Sequence, residues 1–192
     1  MNLEDLQFCA GHELPATTVI FRTQRTRARP GTLNFGGIKL PPAGLLLNRF
    51  DLPDSAVGYF AETQETCVYE SLARRESNAL ALSKVATMQI LSVQLTESLV
   101  LADLRPHAPS WPVLQSLRIA HTQQLAASVR DAGFDGVIYR SAQQFGHDCM
   151  AVFGGSLSAL KVTRRANLVS KDGRLHRAMA TAIRGSQIPL HA

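Results

Sequence analysis

The chain has 192 residues, 45% of them apolar and 18% charged, which suits one domain with a real core and excludes both intrinsic disorder and two full-sized domains. Its three cysteines, Cys9, Cys67 and Cys149, are widely spaced and form no CxxC pair, so neither a disulfide framework nor a zinc finger is expected and a reducing cytoplasm fits best. The net charge of +5 is uneven: Lys161 to Arg184 holds seven Lys/Arg against Asp172 alone, and reads either as a solvated surface helix or as a face for an acidic partner or nucleic acid.

The opening "MNLEDLQFCAGHELPA" has acids where a signal peptide has bases, and no run approaches the roughly 20 apolar residues that span a bilayer. A soluble, cytoplasmic protein without a membrane partner is expected. "TTVIFR" (17–22) is rich in β-branched and aromatic residues and reads as a strand ending in Arg22. The glycines and prolines of residues 23–44 read as a long irregular loop, a length that in compact domains usually serves function. "VGYFAE" (57–62) is the next strand, after which Thr63 can cap a helix with Glu65 in its first turn, running to about Arg75 with Val68 and Leu72 inward.

"VATMQILSVQL" (85–95) and "LVLADL" (99–104) are two more strands, joined at "TES" by a turn. Past the cluster Pro106, Pro109 and Pro112, residues 113–133 place Leu114, Leu117, His121, Leu125 and Val129 at helical spacing and stop at Gly133. His121 reads there as a partly buried histidine with its bonds satisfied. "DGVIYRS" (135–141), "CMAVFG" (149–154) and "ALKVT" (159–163) complete the strands. The fold class is α+β, a β-rich single domain of mixed or antiparallel strands with a few flanking helices, because the strands mostly follow one another without the helices a doubly wound sheet needs.

Several signatures are absent. There is no GxGxxG and no GxxxxGK[ST], "GGSLS" (154–158) does not complete GxSxG, and "GHELP" (11–15) lacks the second histidine of HExxH. His147 and Cys149 stand two apart, but a cysteine in such a strand is most often simply buried. Two charged residues remain among apolar ones, Arg49 in "NRFDLP" and Glu70 in "GYFAETQETCVYESL". Taken singly, Glu70 is an exposed helical residue spaced to pair with Arg74, and Arg49 is a loop residue.

Their order changes that reading. A strand ending in Arg22, a Gly/Pro-rich stretch, "NRF", "GYFAETQETCVYE", then "DGVIYRS" before "CMAVF" resembles the RES-domain family over about residues 18–163. By that resemblance Arg22 matches the family's first arginine, Arg49 the arginine of its R-F motif, Tyr59 the tyrosine of Y-x-A, Glu70 its glutamate and Ser141 its serine. The family's usual GRFN is NRFD here, with Asn48 for glycine and Asp51 for asparagine, a departure that bears on the shape of the loop. Residues 1–17 then form an N-terminal arm, 18–163 the catalytic domain, and 164–192 a basic, partly helical tail.

The resemblance implies an ADP-ribosyltransferase-like core and a toxin that consumes NAD, held in check by a helix-turn-helix antitoxin through which alone nucleic acid would be met. Cleavage of the nicotinamide–ribose bond develops oxocarbenium-like charge on the sugar, which a carboxylate such as Glu70 offsets. Arg22 and Arg49 are then expected to clamp the pyrophosphate, Tyr59 to offer a flat face and Ser141 a hydrogen bond that fixes orientation. The scheme calls for no metal. Water, phosphate and a protein side chain can all accept the sugar, so NAD hydrolysis, phosphorolysis and protein ADP-ribosylation stay open at this point. A basic nucleic-acid-binding module working through residues 22–31 and 161–184 is the reading from another class, weakened because no aromatic stacking platform accompanies the basic tail.

Overall fold

Residues Asp148–Phe153 are buried at every position, and their side chains divide by parity: Cys149, Ala151 and Phe153 enter one apolar cluster, Met150 and Val152 another. Successive side chains of a strand point to opposite faces, so this strand is covered on both. The computed structural model describes residues 3–116 and 118–191. Leu117, expected on the apolar stripe of its helix, and the chain ends Met1, Asn2 and Ala192 lie outside the described residues.

In chain order the strands are β1 (Gly11–Leu14), β2 (Val19–Arg25), β3 (Leu33–Phe35), β4 (Ile38–Leu40), β5 (Val57–Ala61) and β6 (Leu80–Ala81). They continue with β7 (Met88–Leu95), β8 (Leu99–Asp103), β9 (Gly136–Arg140), β10 (Asp148–Phe153), β11 (Leu160–Asn167) and β12 (Leu190–His191). The α-helices are α1 (Gln64–Ser71), α2 (Leu82–Ala86), α3 (Ile119–Asp131) and α4 (Arg177–Ser186). Eight strands form one curled sheet in the order β1, β8, β9, β10, β5, β2, β7, β11, antiparallel except where β8 lies beside β9. The fold is a single α+β domain, as expected.

On one face α1, α3 and α4 bury Val68, Leu125, Val129 and Met179 against the sheet. On the other, the β3–β4 hairpin lays Ile38 and Leu40 over Ile20, Leu91 and Val93. One irregularity positions the site. β2 pairs with β7 along its whole length but with β5 only at Phe21 and Ala61. The sheet parts beyond that pair, and a cleft opens between the diverging strands.

The structure departs from the sequence reading where tertiary contacts override local pattern. Residues 23–44 are not irregular throughout, because β2 runs on to Arg25 and "FGGI" makes a hairpin. Gly36 and Gly37 have φ of 58° and 97°, the positive values that a two-residue hairpin loop demands at both central positions. The helix expected from Val113 begins at Ile119, preceded by a 3-10 turn over Pro112–Gln115, and His121 on it is exposed rather than partly buried. Leu82–Ala86 is helical, so β7 starts at Met88 rather than Val85.

"TES" does join β7 to β8 as expected, although the two strands are not neighbours: β7 lies between β2 and β11, β8 between β1 and β9. Both ends of the chain belong to the same body. β1 adds an edge strand beside β8, and residues 164–167 complete β11 at the opposite edge. Beyond it, α4 buries Ala178, Met179 and Ala182 in the main core and β12 pairs with β6, so the described part of the basic tail, residues 164–191, packs on the domain. Among the described residues no helix is long and apolar enough to cross a membrane.

Candidate active site

Glu70 stands in the last turn of α1. Thr63 caps that helix as expected, its Oγ1 accepting the Thr66 N–H at 3.0 Å, with Glu65 in the first turn. The helix ends at Ser71 instead of Arg75. Leu72 and Ala73 leave it to enter the core, and the Arg75 N–H is taken at 2.7 Å by the Gln143 side-chain carbonyl. The early stop brings the post-helix turn against the loop that follows β9, where Ser141 lies.

That loop holds the carboxylate. Glu70 Oε1 accepts the Ser141 hydroxyl at 2.5 Å, the Ala142 N–H at 2.9 Å and the Gln143 N–H at 3.3 Å, while Oε2 lies 3.4 Å from an Arg49 nitrogen. Ser141 is buried, and its oxygen also accepts the N–H groups of Gln143 and Gln144 at 3.1 and 2.9 Å. Ser141 is thus beneath Glu70 and outside the cleft wall, organising the loop that grips the carboxylate. The pairing of Glu70 with Arg74 does not form, since Arg74 meets Glu76 instead.

Arg49 points inward from the loop before β5. Its Nη1 donates to the Leu114 carbonyl at 2.9 Å, and its guanidinium lies 4.7 Å from the centroid of the Tyr139 ring. The Leu114 carbonyl is available because the chain there is a 3-10 turn whose next residue, Ser116, is extended; a longer α-helix would have engaged it internally. Arg22 reaches through the gap between β2 and β5, donating to the carbonyls of Tyr59 at 2.8 Å and Lys39 at 3.1 Å. Its Nε is buried and has no hydrogen-bond partner. Burial pulls its pKa down to about 10, and among the described residues no carboxylate pairs with it.

Tyr59 turns its ring to the cleft, while its hydroxyl donates to Asp51 at 2.9 Å and accepts the Phe50 N–H at 2.9 Å. Burial first, and then the Asp51 charge, push that hydroxyl well above the usual phenol range. Arg22, Arg49, Tyr59 and Glu70 therefore line one cavity of about 340 Å³ together with Tyr139 and Gln143. The sequence reading missed Tyr139, Gln143 and the Leu114 carbonyl. Only the paired glutamines after Ser141 offered a signal for any of them.

Cys67 and Cys149 also border the cavity, but burial pushes the Cys67 thiol up to about 12 and that of Cys149 well above its ordinary value. Neither is a thiolate near neutral pH. His147 is engaged with Glu62 at 2.7 Å. Among the described residues no group of three or more His, Cys, Asp or Glu is arranged to hold a metal ion. Beside the Arg74–Glu76 pair at its rim, the cavity thus offers a fixed carboxylate, two guanidinium groups and aromatic walls, a set suited to an anionic ligand that develops positive charge at one point.

The sequence model of a family described as "RES domain" matches residues 20–177. No curated protein matches the chain by sequence. Among solved structures, the fold is similar to a chain from the crystal structure of the M. tuberculosis MbcT–MbcA toxin–antitoxin complex. The TM-score is 0.59 at 13% identity, covering 86% of this chain and 89% of that one.

Proposed function

The chain belongs to the RES-domain family, and from that premise we propose that it is an NAD-consuming toxin that cleaves the nicotinamide–ribose bond. The observation that carries the reading is an imbalance in the cleft. Glu70 is locked by Ser141 Oγ and the Ala142 N–H, whereas the half-buried Arg22 keeps its buried Nε–H unmet and has no carboxylate partner. A pyrophosphate supplies the missing charge and acceptors together.

In the proposed reaction the bond from the ribose anomeric carbon to the ring nitrogen breaks heterolytically. The electron pair goes to nicotinamide, which leaves neutral, and the sugar becomes oxocarbenium-like. Glu70, unable to swing away, offsets that charge without reorganisation. Arg22 and Arg49 hold the phosphates, and the Tyr59 and Tyr139 rings wall the site. Water or inorganic phosphate then adds to the carbon, and the proton released by water passes to solvent. Depletion of NAD is preferred here over transfer to a protein.

A freely active enzyme of this kind poisons its own cell, so a cognate antitoxin that covers the cleft is part of the proposal. Leu47, 67% exposed at the cleft, and Phe145, 95% exposed in the loop that grips Glu70, offer such a partner apolar contacts. Basic residues Arg164, Arg165, Arg174 and Arg177 would speed its encounter.

The test is product analysis after incubating the purified protein with NAD, with and without phosphate. Free nicotinamide should appear in both cases or in the phosphate arm alone. It should be accompanied by ADP-ribose if water is the acceptor and by a phosphorylated ADP-ribose if phosphate is. Absence of nicotinamide in every arm, including one with candidate acceptor proteins, refutes the reading.

A further inference from the structure

We propose that Asp51 is a positioning residue that sets Arg49 and the Tyr59 ring for the substrate; this rests on the reading of the cleft as an NAD site. Asp51 is only 8% exposed, yet among the described residues no cation pairs with it. Its carboxylate is spent on neutral donors that bracket Arg49 in sequence. Oδ2 accepts the N–H groups of Leu47 and Asn48 at 2.9 and 2.8 Å and the Asn48 side-chain amide at 3.0 Å. Oδ1 accepts the Tyr59 hydroxyl at 2.9 Å, and that hydroxyl accepts the Phe50 N–H at 2.9 Å. The amides before and after Arg49 are thus tied, directly or through one phenol, to one buried carboxylate.

Packing of the loop's own leucines does not do this work. Leu45, Leu46 and Leu47 are all exposed, and the outer side of the loop is held by Gln123, whose side-chain amide donates to the Leu46 and Asn48 carbonyls at 3.0 and 2.9 Å. Phe50 and Leu52 anchor the end that enters the core. What remains to fix the direction of Arg49 toward the Leu114 carbonyl and Glu70 is the polar cage around Asp51, a side-chain version of a turn. The same carboxylate holds the Tyr59 hydroxyl, so two walls of the cleft share one support.

Asparagine in place of Asp51 still offers an oxygen to the Leu47 and Asn48 amides, and its amide nitrogen can donate to the Tyr59 oxygen. Alanine offers nothing. Asp51→Ala should therefore raise KM for NAD about tenfold or more with kcat changed less than about threefold, while Asp51→Asn stays within about threefold of the wild type in both. The second readout is the Arg49 side-chain Nε–H resonance, which the Tyr139 ring shifts in the wild type. It should be retained in Asp51→Asn and move to the position of an exposed arginine in Asp51→Ala.

In an Arg49→Lys background, Asp51→Ala should add only the part of the KM loss that runs through Tyr59, well short of the full loss, as expected when one residue acts largely through the other. An unmoved Arg49 resonance, an unchanged KM in folded Asp51→Ala, or the full loss recurring in the lysine background would overturn the proposal. If Asp51→Ala does not fold, Asp51→Ser, which keeps one acceptor, carries the same comparison. A wild type that releases no nicotinamide refutes the NAD reading, and the positioning of Arg49 is then judged on the resonance alone.

Discussion

Two clusters of arginine and acid stand in this molecule, and they are built on opposite plans. In one, Arg105 bonds Asp103 through two nitrogens at 2.8 and 2.7 Å and Asp148 at 2.8 Å, while Arg140 reaches Asp148 at 2.6 Å. Two guanidinium groups meet two carboxylates, and Arg105 also reaches the His12 ring at 3.1 Å, so every guanidinium of the cluster has a carboxylate and every carboxylate a guanidinium. Asp103 above all holds the Arg105 pKa above its ordinary value, and Arg105 in turn lowers that of Asp103. In the cleft, Glu70 meets only Arg49, at 3.4 Å, Arg74 and Glu76 pair with each other, and Arg22 keeps a buried N–H without an acceptor. The first cluster is complete as it stands and ties together the ends of β8, β9 and β10. The second leaves a buried donor unmet, which an anion would satisfy in the proposed reading, and that difference, more than the presence of arginines, is what would distinguish a site from a brace.

The largest effects should come from swapping the two plans. Arg22→Met should lower kcat/KM about a hundredfold, from the loss of two charge-assisted contacts to ligand, while shifting stability by no more than about 1 kcal/mol because the loss of its bonds to the Tyr59 and Lys39 carbonyls is offset by removal of an unmet buried donor. Arg105→Met should do the reverse, costing about 2–3 kcal/mol by stranding Asp103 and leaving the buried Asp148 with Arg140 alone, with turnover per folded molecule unchanged. Paired thermal melts and nicotinamide assays read both. Similar stability losses in the two variants would erase the distinction.

A smaller effect is expected from Ser141→Ala. Glu70 keeps the Ala142 N–H but loses its 2.5 Å partner, so kcat should fall about tenfold with KM little changed, a loss of transition-state positioning alone. Arg49→Lys should act chiefly on KM, about tenfold, since an ammonium cannot span the Leu114 carbonyl, Glu70 and a phosphate as the planar fork does. Steady-state kinetics would separate the two, and matching changes in kcat and KM for both variants would show that these residues do not have distinct tasks.

The smallest effect concerns acid stability. The Asp103 pKa is lowered in the folded protein, so its contribution is fully present above the ordinary carboxylate value of about 4 and is lost as pH falls through the lower folded value. The stability gap between the wild type and Arg105→Met should therefore narrow below about pH 4. A gap that is constant down to pH 2 would mean that Arg105 acts by packing rather than by charge.

How much of this was legible in the sequence follows the range of the interactions. Thr63 was readable as a cap because its partner, Thr66, is three residues away. The out-of-place charges of Arg49 and Glu70 were visible singly, but their meeting joins a loop to a helix 21 residues on, and only the family resemblance linked them. The helix expected from Val113 had the right periodicity, and Leu114 is buried as that pattern required. Its backbone, however, leaves the helix and gives a carbonyl to Arg49, 65 residues distant. "FGGI" was taken for loop because glycine signals both irregular chain and the tight turn of a hairpin. Ser141 came from resemblance alone, and its place under Glu70, rather than in the cleft wall, required the structure.

The most direct measurement compares the wild type with Glu70→Gln, following nicotinamide release while NAD affinity is titrated on the same samples. Glutamine keeps the volume and one oxygen for the Ser141 and Ala142 donors but removes the negative charge, so the fold and the grip of Arg22 on the phosphates should survive. The expected result is NAD binding within severalfold of the wild type with kcat lowered about a hundredfold or more. Equal turnover by the two proteins, or no turnover by either, would contradict the assignment of Glu70 as the charge that opposes the developing cation.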